Sequence, residues 1–308
     1  MTRTPETRLA TLNRASVARH FDAYEDVPWE DPSFALEPTD PRHELSVHDP
    51  LGASDWYRAQ EPALRAQIGL HLTCERLRRG IDFEGILSGG LLQLASTLEP
   101  SDPRYRYALH EVIEEGQHSL MFREMIVRAG LPTRGLIGID RWSSRGVPKL
   151  GRTFPELFFF FVLGGEAPID HVQRLALREE EDLHPMIASI IRIHVMEEAR
   201  HISFADIWLR ERIPRLPAWR RAFLAVRIPF LLGEMARQMF EPPRWLARHY
   251  GIPKTAYRNG VLAELKIAAL TRVRRLCEDV GLMGPVSARL WRLMGIAPNP
   301  SPLLPART

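Results

Sequence analysis

Cysteine is nearly absent. The 308 residues carry two, Cys74 and Cys277, far apart and outside any Cys-x-x-Cys spacing. That excludes a disulfide framework and a thiolate zinc site, and it fits a reducing, cytoplasmic setting. Long apolar runs are missing too: no window approaches the roughly 18 apolar residues of a membrane-spanning helix. Met1 to Ala10 alternate Thr, Arg and Glu where a secretory leader has an apolar core. The protein is therefore expected to be neither secreted nor embedded in a membrane. Nor is there an excess of one charge, since 41 Lys and Arg against 38 Asp and Glu leave a net +3. The arginines are scattered through helical patterns without a basic stripe or interleaved aromatics, which argues against nucleic acid as a partner. Strand-like alternation is also lacking. What remains, 45% apolar and 26% charged residues, is the composition of a globular protein with a sizeable core.

Proline and glycine punctuate an otherwise helical text. Residues 1–54 read as an N-terminal helix and an irregular arm, with Pro28, Pro32, Pro38, Pro41 and Pro50 between Val27 and Pro50. Asp55 opens a stretch through Leu64, Ile68 and Leu72, with a second from about Ile81 to Leu98 and a break or bend near Gly80. Ser101-Asp102-Pro103 is a helix start, and the helix it opens runs to Gly130-Leu131-Pro132. Gly135 to Gly151 lacks periodicity and reads as a crossover loop. Phe154 to Ala167 continues into periodic polar text to Glu181, which predicts a buried helix whose circumference is covered by Phe158 to Phe161. Further helices are expected from His184-Pro185 to about Arg212, at 218–240 and at 255–280. One main domain spans 55–295, and a Pro-rich tail occupies 296–308.

Two of these helices share a four-residue pattern, Glu115-Gly116-Gln117-His118 and Glu198-Ala199-Arg200-His201. Glu and His three apart on a helix lie about 60° apart in projection and about 4.5 Å apart along the axis, so both reach one metal. A single copy would most often be a solvated face. Here each copy follows an isolated glutamate in apolar text, Glu84 at 31 residues before Glu115 and Glu166 at 32 before Glu198. A Glu from each of two helices and a Glu-x-x-His from each of two others make the dinuclear carboxylate site of four-helix bundles. Four carboxylates offset most of two ferrous charges, and two neutral imidazoles leave positions open for dioxygen. Iron is the expected metal; the same ligands accept manganese.

His194 adds to this set, because His194, Glu198 and His201 form one stripe at i, i+4 and i+7. Two readings are open for it, a seventh ligand or a histidine packed beside the site. The matching position in the other half is Glu111, four before Glu115, read either as a supporting acid or as a solvated glutamate. Glu197 and Arg200 suit an ion pair that holds an imidazole in one tautomer. Glu114 repeats the acid, whereas Gln117 stands where the arginine would be. His20, His43, His48, His71, His110, His171, His184 and His249 are assigned surface or packing roles.

Glu84, Glu114-Glu115-x-x-His118, Glu166 and His194-Val-Met-Glu-Glu198-Ala-Arg-His201 together resemble the p-aminobenzoate N-oxygenase (AurF-like) family of non-haem di-iron enzymes. The third histidine carries the resemblance, which covers roughly residues 60–215. Glu114 departs from it conservatively, since the family often has Asp there. The resemblance implies an all-α, ferritin-like four-helix bundle with additional flanking helices, often a homodimer. It implies two iron ions, O2 as co-substrate, a separate electron donor, and a primary amine, usually an arylamine, oxidised to hydroxylamine, nitroso or nitro products in natural-product biosynthesis. Glu84, Glu115, His118, Glu166, Glu198 and His201 are then the six core ligands and His194 the seventh. Arg76 or Arg79 could meet a substrate carboxylate, although helix geometry turns Arg79 off the ligand face and predicts a solvent-facing side chain. Phe158 to Phe161 are expected to be core packing more than pocket wall. The rival reading is a di-iron hydroxylase or desaturase acting on a C–H bond of an aliphatic or carrier-bound substrate. An iron-storage cage would need acidic entry surfaces, which a slightly basic chain suits poorly.

Overall fold

The computed structural model describes residues 4–179 and 182–299. Every regular element among them is helical. The helices are α1 (Pro5–Ala18), α2 (Asp55–Arg58), α3 (Pro62–Ala95), α4 (Pro103–Ala129), α5 (Gly138–Ser144), α6 (Val147–Thr153), α7 (Pro155–Glu179) and α8 (Pro185–Arg212). After them come α9 (Ala218–Phe240), α10 (Arg244–His249), α11 (Lys254–Tyr257), α12 (Gly260–Ala269), α13 (Thr271–Asp279) and α14 (Pro285–Leu293).

Four long helices, α3, α4, α7 and α8, form the bundle. Their ends follow local rules. The Asp102 carboxylate accepts from the Arg104 amide ahead of Pro103 in the first turn of α4. Gly130, at φ 64°, closes the same helix in the left-handed conformation that glycine adopts freely. At α8 the cap is His184, whose Nδ1 accepts from the Met186 amide while Nε2 donates to the Ala35 carbonyl. Short links make α3–α4 and α7–α8 antiparallel pairs, and the connection from α4 to α7 is the single long crossover that ferritin-like bundles allow.

Several boundaries differ from the sequence expectation. The helix does not break at Gly80; α3 is continuous across it, because the missing side chain lets the Phe122 ring of α4 approach. The Gly135–Gly151 segment is no simple loop but holds α5 and α6, and α6 lies on α3. The 255–280 stretch is three helices, α11 to α13, interrupted at Arg258–Asn259 and at Leu270. The 296–308 tail begins with the fully buried Ile296, and residues 300–308 lie outside those described, as do 180 and 181, to which the helix was expected to run.

The core is one apolar body with two satellites. Leu87, Leu91, Phe158, Phe159, Phe160 and Phe204 lie at its centre, and α1 joins it through Leu9 and Leu12. The N-terminal arm is tied down rather than trailing: Ala23, Val27, Trp29 and Phe34 pack on Leu70, Met121 and Ile190 at one end of the bundle. Trp29 Nε1 donates to the Ala23 carbonyl at 2.6 Å. Of the C-terminal helices, α9, α12 and α13 pack on α7, and α14 packs on α9.

Two close approaches set the helix spacing around the lone glutamates. The Phe83 ring rests on Gly165, where a Cβ would lie 2.1 Å from it, so Glu84 and Glu166 are carried by the next residue of each helix. At Gly90 a Cβ would lie 2.0 Å from the buried Phe158 ring. Gly90→Ala is therefore expected to lose about 1–3 kcal/mol through overpacking. Gly116→Ala, exposed on α4 with open space around it, should gain about 0.5–1 kcal/mol from helix propensity. Urea denaturation of the two variants checks both signs.

Candidate metal centre

The bundle brings the predicted side chains to one buried point. α3 supplies Glu84, α4 Glu115 and His118, α7 Glu166, and α8 His194, Glu198 and His201, none more than 4% exposed. Glu115 stands between the two histidines of the Glu-x-x-His patterns. Its Oε2 is 3.0 Å from His118 Nδ1 and its Oε1 is 2.9 Å from His201 Nδ1. Glu198 Oε1 lies 3.6 Å from each of the same nitrogens. Two carboxylates thus face both imidazoles, the arrangement of a pair of bridging ligands. His194 joins from one side, with Nε2 3.4 Å from Glu198 Oε1 and 3.8 Å from Glu84 Oε1. Donor atoms within 4.8 Å of one another form three overlapping groups: Glu84, His118 and His194 at one end, Glu111, Glu115, Glu166 and His201 at the other, and Glu115, His118 and Glu198 between them.

Outer contacts fix the ring orientations. His118 Nε2 lies 2.9 Å from Glu197 Oε2, and His201 Nε2 2.7 Å from Glu114 Oε2. A carboxylate only accepts, so each Nε2 carries a proton, and with a metal bound each Nδ1 would present its lone pair to the centre. The support is crossed: the acid before the Glu-x-x-His of α8 holds the histidine of α4, and the reverse. Arg200 binds both acids, with Nη2 2.9 Å from Glu114 Oε1 and 3.2 Å from Glu197 Oε1. Gln117 has another task, accepting from the Ala23 amide at 2.8 Å and so fastening the N-terminal arm to α4. His194 Nδ1 donates to Gln173 Oε1 at 2.9 Å, leaving its Nε2 for the centre. The sequence reading did not single out Gln173; its place on α7 two turns beyond Glu166 was the available signal.

The electrostatics fit a cation. Burial, then Glu115, pushes the Glu84 carboxyl well above its ordinary range, and burial with Glu198 does the same to Glu166. Burial pulls the other way on His118, yet Glu115, Glu197 and Glu198 outweigh it and raise that imidazole to about 10. Both oxygens of Glu166, both of Glu111 and one each of Glu84 and Glu198 are buried with no hydrogen-bond partner. Buried acceptors converging without donors are costly unless a cation sits among them. Glu111 is fully buried, which corrects its reading as a solvated glutamate.

A cavity of about 710 Å³ opens against this cluster, with Glu84, Glu166, His194 and Glu198 in its wall. Its other walls are largely apolar, including Phe83, Phe161, Ile169, Val172, Ile190 and Ile191. Of the four phenylalanines, Phe161 lines it while Phe158, Phe159 and Phe160 are core. The solvent-facing expectation for Arg79 is corrected: it lines the cavity, drawn inward by the buried Glu75 one turn earlier at 3.5 Å, and it donates to the Gln238 carbonyl. Arg76 also lines the cavity, paired to Asp49 at 2.5 Å. Apart from the cluster, His43 and His184 stack at 4.8 Å between centroids beside Asp40.

Arg200→Ala should free both outer acids and lower metal affinity by about 10–100-fold, measured by chelator competition with helix content unchanged. Stripping metal with a chelator should lower Tm; metal at about 100 times its Kd restores about 2.7 kcal/mol. An unchanged melt on metal addition would count against a metal centre.

Comparison with known proteins agrees with this geometry. The family profile described as p-aminobenzoate N-oxygenase AurF matches residues 2–281, well beyond the roughly 60–215 that the resemblance covers. A protein of Mycobacterium tuberculosis is 39% identical over 298 residues, covering 95% of this chain and 88% of the relative. One from Mycobacterium bovis is 38% identical over equal shares. Both bear the name "Uncharacterized protein". No described helix is long and apolar enough to cross a membrane. The chain belongs to the AurF family of p-aminobenzoate N-oxygenases, ferritin-like all-α oxidoreductases of the di-iron type.

Proposed function

We propose that this chain uses O2 to oxidise a primary amine, an arylamine above all, at nitrogen, with Glu84, Glu115, His118, Glu166, His194, Glu198 and His201 holding two iron ions. The observation that carries the reading is His194, whose Nε2 faces Glu84 and Glu198 within the ring of carboxylates. A third imidazole is the difference from the six-ligand pattern that di-iron bundles usually show. When bound, the ferrous pair supplies the electrons and the binding position for O2 activation. Each first-stage turnover joins an amine, O2, two electrons and two protons into a hydroxylamine and water, so a separate electron donor completes the system.

The protein's own groups decide what is presented to the metals. Amine oxidation at nitrogen needs the free lone pair, and the apolar cavity walls disfavour an ammonium ion there. Arg79 stands five residues before Glu84 on α3, about 7.5 Å along the axis. A guanidinium at that separation suits an acid group at the far end of an aromatic amine, with the amine directed at the cluster. Glu75 and the Gln238 carbonyl hold Arg79 in place from behind. The bundle is proposed to work as a homodimer.

Single turnover tests the reading. Protein loaded with ferrous iron is mixed with O2 and an arylamine panel led by p-aminobenzoate, and products are identified by mass. Hydroxylamine, nitroso or nitro products are expected, and hydroxylation of carbon alone would overturn N-oxygenation. Arg79→Leu should raise KM for carboxylated arylamines by about tenfold or more, the cost of losing a charged hydrogen bond, with less effect on neutral anilines. His194→Ala should lose iron or amine oxidation; retention of both would remove the basis of the proposal.

A further inference from the structure

The two halves of the bundle are more alike than their sequences. On α8, His194 precedes Glu198 by one turn; on α4, Glu111 precedes Glu115 by one turn. Residues four apart share a helix face, so each side chain lies over the one that follows it. His194 belongs with Glu84 and His118, the lone glutamate and histidine of the opposite helix pair. Its ring lies 4.5 Å from that of His118, centroid to centroid. Glu111 makes the mirror-image crossing, since its carboxylate groups with Glu166 of α7 and His201 of α8.

We infer that Glu111 is an eighth ligand, the counterpart of His194, and that it completes the second metal position beside Glu166 and His201. The inference rests on the dinuclear reading above. Position one is then Glu84, His118 and His194, position two is Glu111, Glu166 and His201, and Glu115 and Glu198 lie between them. Glu111 is 0% exposed and neither of its oxygens has a hydrogen-bond partner. The Tyr107 hydroxyl, one turn earlier on the same face, is buried without a partner as well and does not satisfy it. A supporting acid, such as Glu114 or Glu197, is recognised by the imidazole or guanidinium it holds; Glu111 holds neither. An acceptor-only group in that setting has a cation as its natural partner.

The two positions would consequently differ in charge. Position one has two imidazoles and one terminal carboxylate, position two has one imidazole and two terminal carboxylates. The second ion is therefore the one better matched to the ferric state, since the harder oxygen donors favour the harder ion.

Anaerobic titration of the metal-free protein with Fe(II), and in parallel with Co(II), followed by calorimetry and by cobalt absorption, tests the assignment. The unaltered chain should take up two ions. In Glu111→Gln the second ion should bind at least tenfold more weakly and its cobalt bands should change, while the first ion is unaffected. Glu111→Asp should recover part of the second affinity. Two ions bound with unchanged affinity and unchanged cobalt bands in Glu111→Gln would overturn the assignment. Glu166→Ala separates the two hypotheses: loss of the second ion supports the dinuclear reading independently of Glu111. Retention of both ions there, or uptake of one ion by the unaltered chain, would overturn that reading and this one with it. A second measurement needs no variant. Anomalous scattering at the iron edge from metal-loaded crystals should place a Glu111 oxygen about 2.0–2.3 Å from the second ion; a separation beyond hydrogen-bond range would refute the assignment.

Discussion

Five glutamates buried within reach of one another in the middle of a helical bundle are the constraint on which this structure depends. Glu84, Glu111, Glu115, Glu166 and Glu198 are each almost wholly removed from water. Like charges at such range repel strongly in a low-dielectric interior. His118 and His201 offset part of that repulsion through Glu115. The apolar helices around them can hold this arrangement because cations are the missing partners, so packing and metal chemistry are one problem here. The long helices, the glycine contact under Phe83 and the tied-down arm all serve to bring carboxylates together that would otherwise stay apart.

Much of this was legible in the sequence, for identifiable reasons. The Glu-x-x-His copies and their matched upstream glutamates are local patterns on helices, and helical periodicity converts spacing into direction without knowledge of the fold. Asp102-Pro103 and His184-Pro185 marked two bundle helices at their first turns because capping is also local. The misread elements depended on tertiary contacts. Gly80 looked like a breaker because its partner, Phe122, lies more than forty residues away. Arg79 looked solvent-facing because helix projection knows nothing of Glu75 burial or of the Gln238 carbonyl. Gln173 left no motif at all, since one hydrogen bond to His194 requires only an amide at the right height.

The cavity wall is built from more of the molecule than the metal centre is. The centre is written in four bundle helices, whereas the cavity wall also draws on the arm, on α5 and on α9. The arm is irregular and α5 short, whereas α9 is a long helix packed on α7. Arg79 lies at the seam, carried by a bundle helix but held from outside it by Gln238.

The position of Arg200 has a consequence of its own. One guanidinium grips Glu114 and Glu197, and these in turn grip the histidines of opposite halves. A continuous path of contacts therefore runs from His118 through Glu197, Arg200 and Glu114 to His201. The two halves of the centre are thus braced against each other by a single guanidinium, and neither histidine can be reoriented without loosening the support of the other.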